Sequence, residues 1–306
     1  MSSILLVGTV SNVGENIEKE LNIVLQALAR FQKIEVFLVE SDSTDNTIMV
    51  LNKLQQNNSN FTYVSKGNLK ELMPNRIDRL TFCRNIYVEE IRSRKLNNRP
   101  MYVAVADLDG MNYALNKKSV DSCFIQLKWD VVTANQIGGY YDIYALRAQN
   151  WQDKDCFKEL DEFRLKIVSP NDSSIRIFQK IKYFKLNEQA KHRAIYSKMV
   201  KINVNSPWIK VESAFGGFAI YKSIIFLKYN YSKSMQDYSE SEHVTIHRKL
   251  SEDGFSIYIN PSLINAKWNT YNVNKYFLIR KLRTLFRRSD FLFLIYKKIK
   301  AYRMIK

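Results

Sequence analysis

The chain is poor in cysteine, glycine, proline and histidine, and each shortage excludes something. Cys83, Cys123 and Cys156 are odd in number, widely spaced and without a C-x-x-C pair. That pattern argues against a disulfide framework or a cysteine-rich zinc site and fits a reducing compartment. Nine glycines and five prolines in 306 residues hide no long low-complexity linker. No run reaches the roughly 20 uninterrupted apolar residues of a membrane span. The opening Met-Ser-Ser runs through Ile4–Val7 into Gly8, too short for a signal h-region and without a basic segment before it, so a cytoplasmic location is expected.

What is present is a chain long enough for a large core, with 46% hydrophobic and 25% charged residues and a net charge of +17. Short apolar runs alternate with amphipathic stretches. Ile4–Val7 is followed by a helical stripe of Ile17, Leu21, Val24, Leu25 and Leu28. Ile34–Val39 leads through the polar Glu40–Asp45, with Asp45 as a helix N-cap, into Ile48, Leu51 and Leu54. Phe61–Val64, a long helix over Arg76 to Arg94, and the strand Met101–Ala106 complete the series. This βαβα order predicts an α/β fold with a mostly parallel sheet, whose ligands bind beyond the carboxyl ends of its strands. In the second half, strands are expected at Asp130–Ala134, Tyr141–Leu146, Phe215–Tyr221 and Phe255–Ile259, with a charged, helical or mobile stretch from Cys156 to Lys201. No internal repeat is visible.

The segment Asp107-Leu108-Asp109-Gly110 ends an apolar strand with two carboxylates bracketing one apolar residue, which suits a hard cation that also binds a diphosphate. Asp-x-Asp alone is common, and a strand-ending turn is its plainer meaning. A second polar loop, Glu40-Ser41-Asp42-Ser43-Thr44-Asp45-Asn46-Thr47, follows the second strand of the same sheet. Ser, Thr and Asp there also serve as helix caps. The helix between the two carries Arg76-Ile77 and Arg84-Asn85, and a guanidinium matches phosphate with a planar fork of donors.

In this order the three motifs resemble the nucleotide-sugar-binding half of GT-A glycosyltransferases, and in particular the fungal capsule-associated mannosyltransferase family and related bacterial polysaccharide transferases. Trp129-Asp130 through Asn135, Tyr141-Asp142 through Arg147, Ser213-Ala-Phe-Gly216-Gly217 and Glu242-His243-Val244 extend the resemblance over about residues 1 to 265. It implies a nucleotide-sugar-binding half at 1–115, an acceptor-binding half of the same domain at 116–272, and an appended tail at 273–306. It also implies a UDP- or GDP-sugar donor with Mn²⁺ or Mg²⁺. Glu40 and Asp45 would border the base and ribose, Arg84 would support the phosphates or orient the acidic pair, and Arg76 is a further donor contact. Asp107 and Asp109 would hold the metal and ribose, and His243 would complete the metal shell with His247, one turn on, in reserve. Glu242, Glu212 and Asp130 are the candidate catalytic carboxylates. Gly216-Gly217 marks a close backbone approach. The resemblance further implies a saccharide or lipid-linked acceptor, in surface polysaccharide synthesis.

Charge is concentrated at one end: eleven Lys and Arg lie between Lys275 and Lys306 against Asp290 alone. Leu278, Leu282, Leu285, Leu292, Tyr296 and Ile299 form an apolar stripe among them. A basic amphipathic helix of this kind fits an anionic membrane surface, here the inner face, although docking on the domain would also use the stripe. The competing class is a basic nucleic-acid-binding module. It requires charge spread along a groove, whereas here the charge lies apart from the acidic loops, so no nucleic-acid partner is expected. A nucleotidyltransferase would show a Gly-rich phosphate loop after the first strand, and none is there.

Overall fold

A computed structural model describes residues 2–125, 128–165, 177–233 and 240–268, with the backbone alone for 177–185. The tail at 275–306, and with it the expected membrane-binding helix, lies outside the described residues.

The strands and helices run in the order β1 (Ser3–Val10), α1 (Ile17–Ala27), β2 (Lys33–Glu40), α2 (Thr47–Asn57), β3 (Phe61–Ser65), α3 (Arg76–Ser93), β4 (Tyr102–Ala106) and α4 (Lys117–Asp121). Then come β5 (Val131–Gln136), α5 (Cys156–Leu165), α6 (Ile177–Ala194), β6 (Ile209–Val211), β7 (Phe218–Lys222), α7 (Ile224–Lys228), α8 (Glu242–Glu252) and β8 (Ile257–Ala266). All eight strands join one sheet in the order β3-β2-β1-β4-β7-β5-β8-β6. The first four are mutually parallel, and β7 runs antiparallel between β4 and β5. One sheet therefore crosses from the first half of the chain to the second. The α/β class expected from the alternation is the one that forms.

β1 shows why its residues are almost all apolar. Leu5 and Val7 face one layer with Tyr87, Val88 and Ile91 of α3, while Ile4 and Leu6 face the other with Leu21 and Val24 of α1. A strand covered on both faces has no side for polar residues.

Three expectations need correction. Tyr141–Leu146 is a series of turns, not a strand. Asp142 Oδ1 accepts from Ala145 N, and Arg147 donates to the carbonyls of Tyr144 and Leu146, so local polar bonds replace a ladder. The strand expected from Phe215 starts only at Phe218, because Gly216 and Gly217 hold φ of 71° and 84°. The N-cap position of α2 is Asn46, not Asp45. Asp45 nevertheless accepts from Thr47 N and Gly14 N, tying two loops together. β6 was not foreseen: three residues are too few for a period-two signal.

Candidate active site

The carboxyl ends of β1, β2 and β4 open onto a cleft of about 790 Å³, closed on its far side by α5, α6, Phe215 and the start of α8. α3 enters between them, and Arg84 on its inner face is the centre of the site. Its guanidinium is buried and donates through Nε to Glu242 Oε1 at 2.9 Å, through Nη2 to Asp107 Oδ1 at 3.3 Å and through Nη1 to Tyr87 OH at 3.3 Å. The same cation lies 5.5 Å from the Phe215 ring and 5.7 Å from the Tyr231 ring. A residue readable as an exposed helix charge is thus the brace between the acidic strand end and α8.

Around Arg84 carboxylates outnumber the single guanidinium, although Lys70, Arg76, Arg79, Arg164 and Lys191 also line the cleft. Asp107, Asp109, Asp142 and Glu242 all line the cleft around Arg84. Burial pushes the Asp107 carboxyl up to about 7, with Arg84 opposing and Asp109, Asp142 and Glu242 adding to the rise. Burial also raises Asp142, although its oxygens accept from Gly216 N at 2.9 Å and Ala145 N at 3.3 Å. The crowding that raises Asp107 and Asp142 is of a kind that a divalent cation would relieve.

His243 is held neutral: burial, then Arg84 and His247, keep its pKa well below the usual range. Its ring stacks on Phe215 at 3.8 Å, and Nε2 is 3.9 Å from Glu242 Oε1. Both ring nitrogens are buried without a hydrogen-bond partner among the described residues. An orphaned neutral imidazole in the cleft that Asp107 and Asp109 also line is of the type a metal ion takes. Among the described residues no three His, Cys, Asp or Glu side chains are gathered closely enough to hold a metal by themselves. An ion here would therefore rest on the Asp107–Asp109 pair, with the rest of its shell from ligand oxygens and water, and His243 lines the same cleft.

Of the residues expected from sequence, Arg76, Arg84, Asp107, Asp109, Glu242 and His243 line this cleft. Others do not. Glu40 is buried behind it, accepting from Ser43 N at 3.0 Å and from Ser65 Oγ, so it shapes the loop rather than touching the cavity. Asp45 is exposed; burial is the largest single influence and raises its carboxyl, but the Thr47 hydroxyl and the Thr47 and Gly14 amides together hold it below the usual range. Asp130 sits beside Lys222 at the opposite end of the strands, level with Tyr102 across β7, and Tyr102 is five residues or about 17 Å of strand rise back from Asp107. Lys222 Nζ and Ser256 occupy its oxygens. Glu212 is exposed and outside the cavity lining. His247 is fully buried between Ser213 Oγ at 3.0 Å and Tyr221 OH at 2.9 Å, and burial pushes it down to about 3. It is a core residue.

Two lining residues were missed although their motifs were visible. Asp142 stands in the Tyr141-Asp142 pair, but the segment looked like a strand. Asp42, at φ 61°, accepts from Lys70 N at 2.8 Å and pairs with Arg79 at 3.4 Å, an arrangement set by chain segments far apart in sequence. The glycine expectation holds: a Cβ on Gly217 would stand 2.9 Å from Tyr141 OH, and Gly217 O accepts from Asp107 N at 2.9 Å.

Fold and cleft together define an open α/β protein with an acidic, arginine-braced site at the carboxyl edge of its parallel strands. No protein-family model matches the chain, and no curated protein matches it by sequence. Among solved structures it is similar to the mannosyltransferase PcManGT from Pyrobaculum calidifontis in complex with GDP-Man and Mn²⁺, at TM-score 0.46 and 11% identity over 93% of this chain. It is also similar to S. aureus TarS 1-349 in complex with UDP-GlcNAc, at TM-score 0.44 and 12% identity over 90% of this chain. The chain spans 62% of the length of each. At that level of likeness the neighbours assign no function to this chain.

Proposed function

We propose that this chain is a GT-A glycosyltransferase that uses a divalent cation to transfer a sugar from a UDP- or GDP-sugar to a saccharide or lipid-linked acceptor. The observation that carries the reading is the meeting of Asp107, Asp109, Arg84, Glu242 and neutral His243 in one cleft at the carboxyl edge of the sheet. The order of the Glu40–Thr47, Arg76–Asn85 and Asp107–Asp109 motifs, which resembles polysaccharide-assembling transferases, supports surface polysaccharide synthesis as the setting.

In this reading Asp107 and Asp109 would hold Mn²⁺ or Mg²⁺, with His243 of the same cleft as the further ligand. The ion would offset charge developing on the leaving nucleoside diphosphate. Arg84 fixes the orientation of Asp107 and Glu242 at once. Arg76 and Lys70 on the same wall offer cations to the donor phosphates. Glu242 lines the cavity with one oxygen engaged by Arg84, and is the carboxylate best placed to take a proton from an acceptor hydroxyl. Tyr144, Phe157, Leu160, Tyr196 and Met199 form an aromatic and aliphatic wall on the other side, suited to the apolar face of a sugar or to lipid. Residues 275–306 would hold the enzyme on the inner face of an anionic membrane. Among the described residues no helix is long and apolar enough to cross one.

A nucleic-acid module fits less well, since the basic charge of the chain is concentrated at 275–306, apart from the cleft in which Asp107, Asp109, Asp142 and Glu242 surround Arg84. A screen of nucleotide sugars with and without Mn²⁺, read by thermal shift and donor hydrolysis, separates the two. Stabilisation and hydrolysis that need the metal are expected. No response to any donor, with tight nucleic-acid binding by residues 1–274, would overturn the enzyme reading.

A further inference from the structure

Glu20 is a buried carboxylate on the apolar face of α1, beside Ile17, Leu21 and Val24, where an aliphatic residue would normally sit. It accepts from Gly110 N at 2.6 Å, Asn112 N at 2.8 Å and Asn112 Nδ2 at 3.1 Å. The Asn112 amide also donates to Asp107 O at 2.7 Å, and its oxygen accepts from Asn265 Nδ2 at 3.2 Å. Asn265 continues the chain to Gly216 O at 2.8 Å and to Gln136 Nε2 at 2.9 Å. The turn bearing Asp107 and Asp109 is thus tied on both sides, by Gly217 O at the Asp107 amide and by Glu20 at the Gly110 amide.

Burying a carboxylate among neutral donors is costly, and a Leu or Ile at this position would pack the stripe without that penalty. Two carboxylates separated by one residue reach a common ion only if the backbone between and after them is fixed. We propose that Glu20 is a positioning residue, whose grip on Gly110 and Asn112 sets the Asp107–Asp109 turn so that both carboxylates address one divalent cation. This rests on the metal-dependent reading above. It assigns to α1, which does not line the cavity, a part in building the ion site.

The test is Glu20→Gln, which keeps the side-chain shape and can still accept from Asn112 but sets an amide N–H against the Gly110 N–H. Mn²⁺ binding is read by electron paramagnetic resonance, exchange of the Gly110 amide by NMR, and folding by circular dichroism. Expected are a folded variant, faster Gly110 exchange, and Mn²⁺ affinity lowered at least tenfold. In turnover assays the Mn²⁺ concentration for half-maximal rate should rise by the same factor, while the donor KM at saturating Mn²⁺ changes less than threefold. A merely structural role would leave that split absent. A folded Glu20→Gln that binds Mn²⁺ within twofold of wild type overturns the role of Glu20 alone. Should Glu20→Gln not fold, Asn112→Ser removes the tie to Asp107 O and leaves the backbone bonds of Glu20. A threefold or greater loss of Mn²⁺ affinity is then expected, and unchanged affinity in a folded Asn112→Ser overturns the proposal. Wild-type protein that binds no Mn²⁺ at millimolar concentration overturns the metal reading and this inference with it.

Discussion

At the residue scale the decisive pair is Asp109 and His243. Asp109→Ala should abolish donor turnover and metal-dependent donor binding with the fold intact, because it removes one of two carboxylates from a sparse ion shell. His243→Ala should lower both less completely, since water can replace a single neutral ligand. Activity of Asp109→Ala within a fewfold of wild type, in chelator, would sink the metal mechanism. Asp107 adds a pH signature. Its carboxyl is raised to about 7, chiefly by burial, so the folded state binds that proton more tightly than the unfolded chain does. Its contribution to stability is complete below about pH 4 and is lost as pH rises to 7. Asp107→Asn cannot lose that proton, so its melting temperature relative to metal-free wild type should climb between pH 5 and 7. Added Mn²⁺ should reverse the difference by stabilising only the wild type. A constant difference across that range would contradict the crowding of Asp107 by the neighbouring carboxylates.

At the element scale, α8 turns one motif to two ends. Glu242 and His243 in its first turn meet the cleft, while His247 one turn later faces Ser213 and Tyr221 in the core. His247→Ala should therefore cost about 2–4 kcal/mol in denaturant unfolding, from the lost volume and the lost bonds to Ser213 Oγ and Tyr221 OH, with metal binding retained by the protein that stays folded. A stable, metal-dead His247→Ala would shift the ligand assignment by a turn. The Phe215–Phe218 corner is the other sensitive element. Gly217→Ala forces a Cβ to 2.9 Å from Tyr141 OH at φ 84°, so a loss of about 1–3 kcal/mol is expected together with reduced turnover, since the same residue anchors Asp107. At the far end of the strands, Asp130→Asn should cost about 1 kcal/mol through the Lys222 pair and leave turnover within a fewfold. A dead but folded Asp130→Asn would contradict its position.

At the scale of the whole molecule, charge and chemistry occupy different parts of the chain. Deleting residues 275–306 removes eleven Lys and Arg and one Asp and should abolish most salt-sensitive binding to acidic liposomes while donor hydrolysis persists. Replacing Leu282, Leu285 and Leu292 by Ser should also release the protein from liposomes with no change in charge. Flotation that survives those substitutions would mean that the stripe is buried against the domain or another subunit.

What the sequence determined by itself was what repeats locally. Apolar runs and helical stripes located β1 to β4 and α1 to α3, because burial on both faces of a parallel sheet dictates residue type along each element. The strand-ending Asp107-Leu108-Asp109 and the motifs around Arg84 and His243 were visible for the same reason. Tertiary structure decided which polar residues meet. Asp130 and Asp107 are both acids at strand ends, and only the sheet register puts them at opposite ends of the strands. His243 and His247 share one helix face, yet packing gives one a cavity and the other Ser213 and Tyr221. Glu20 was a polar interruption in an apolar stripe, and its meaning depends on Gly110 and Asn112, ninety and more residues away, arriving at the same point in space.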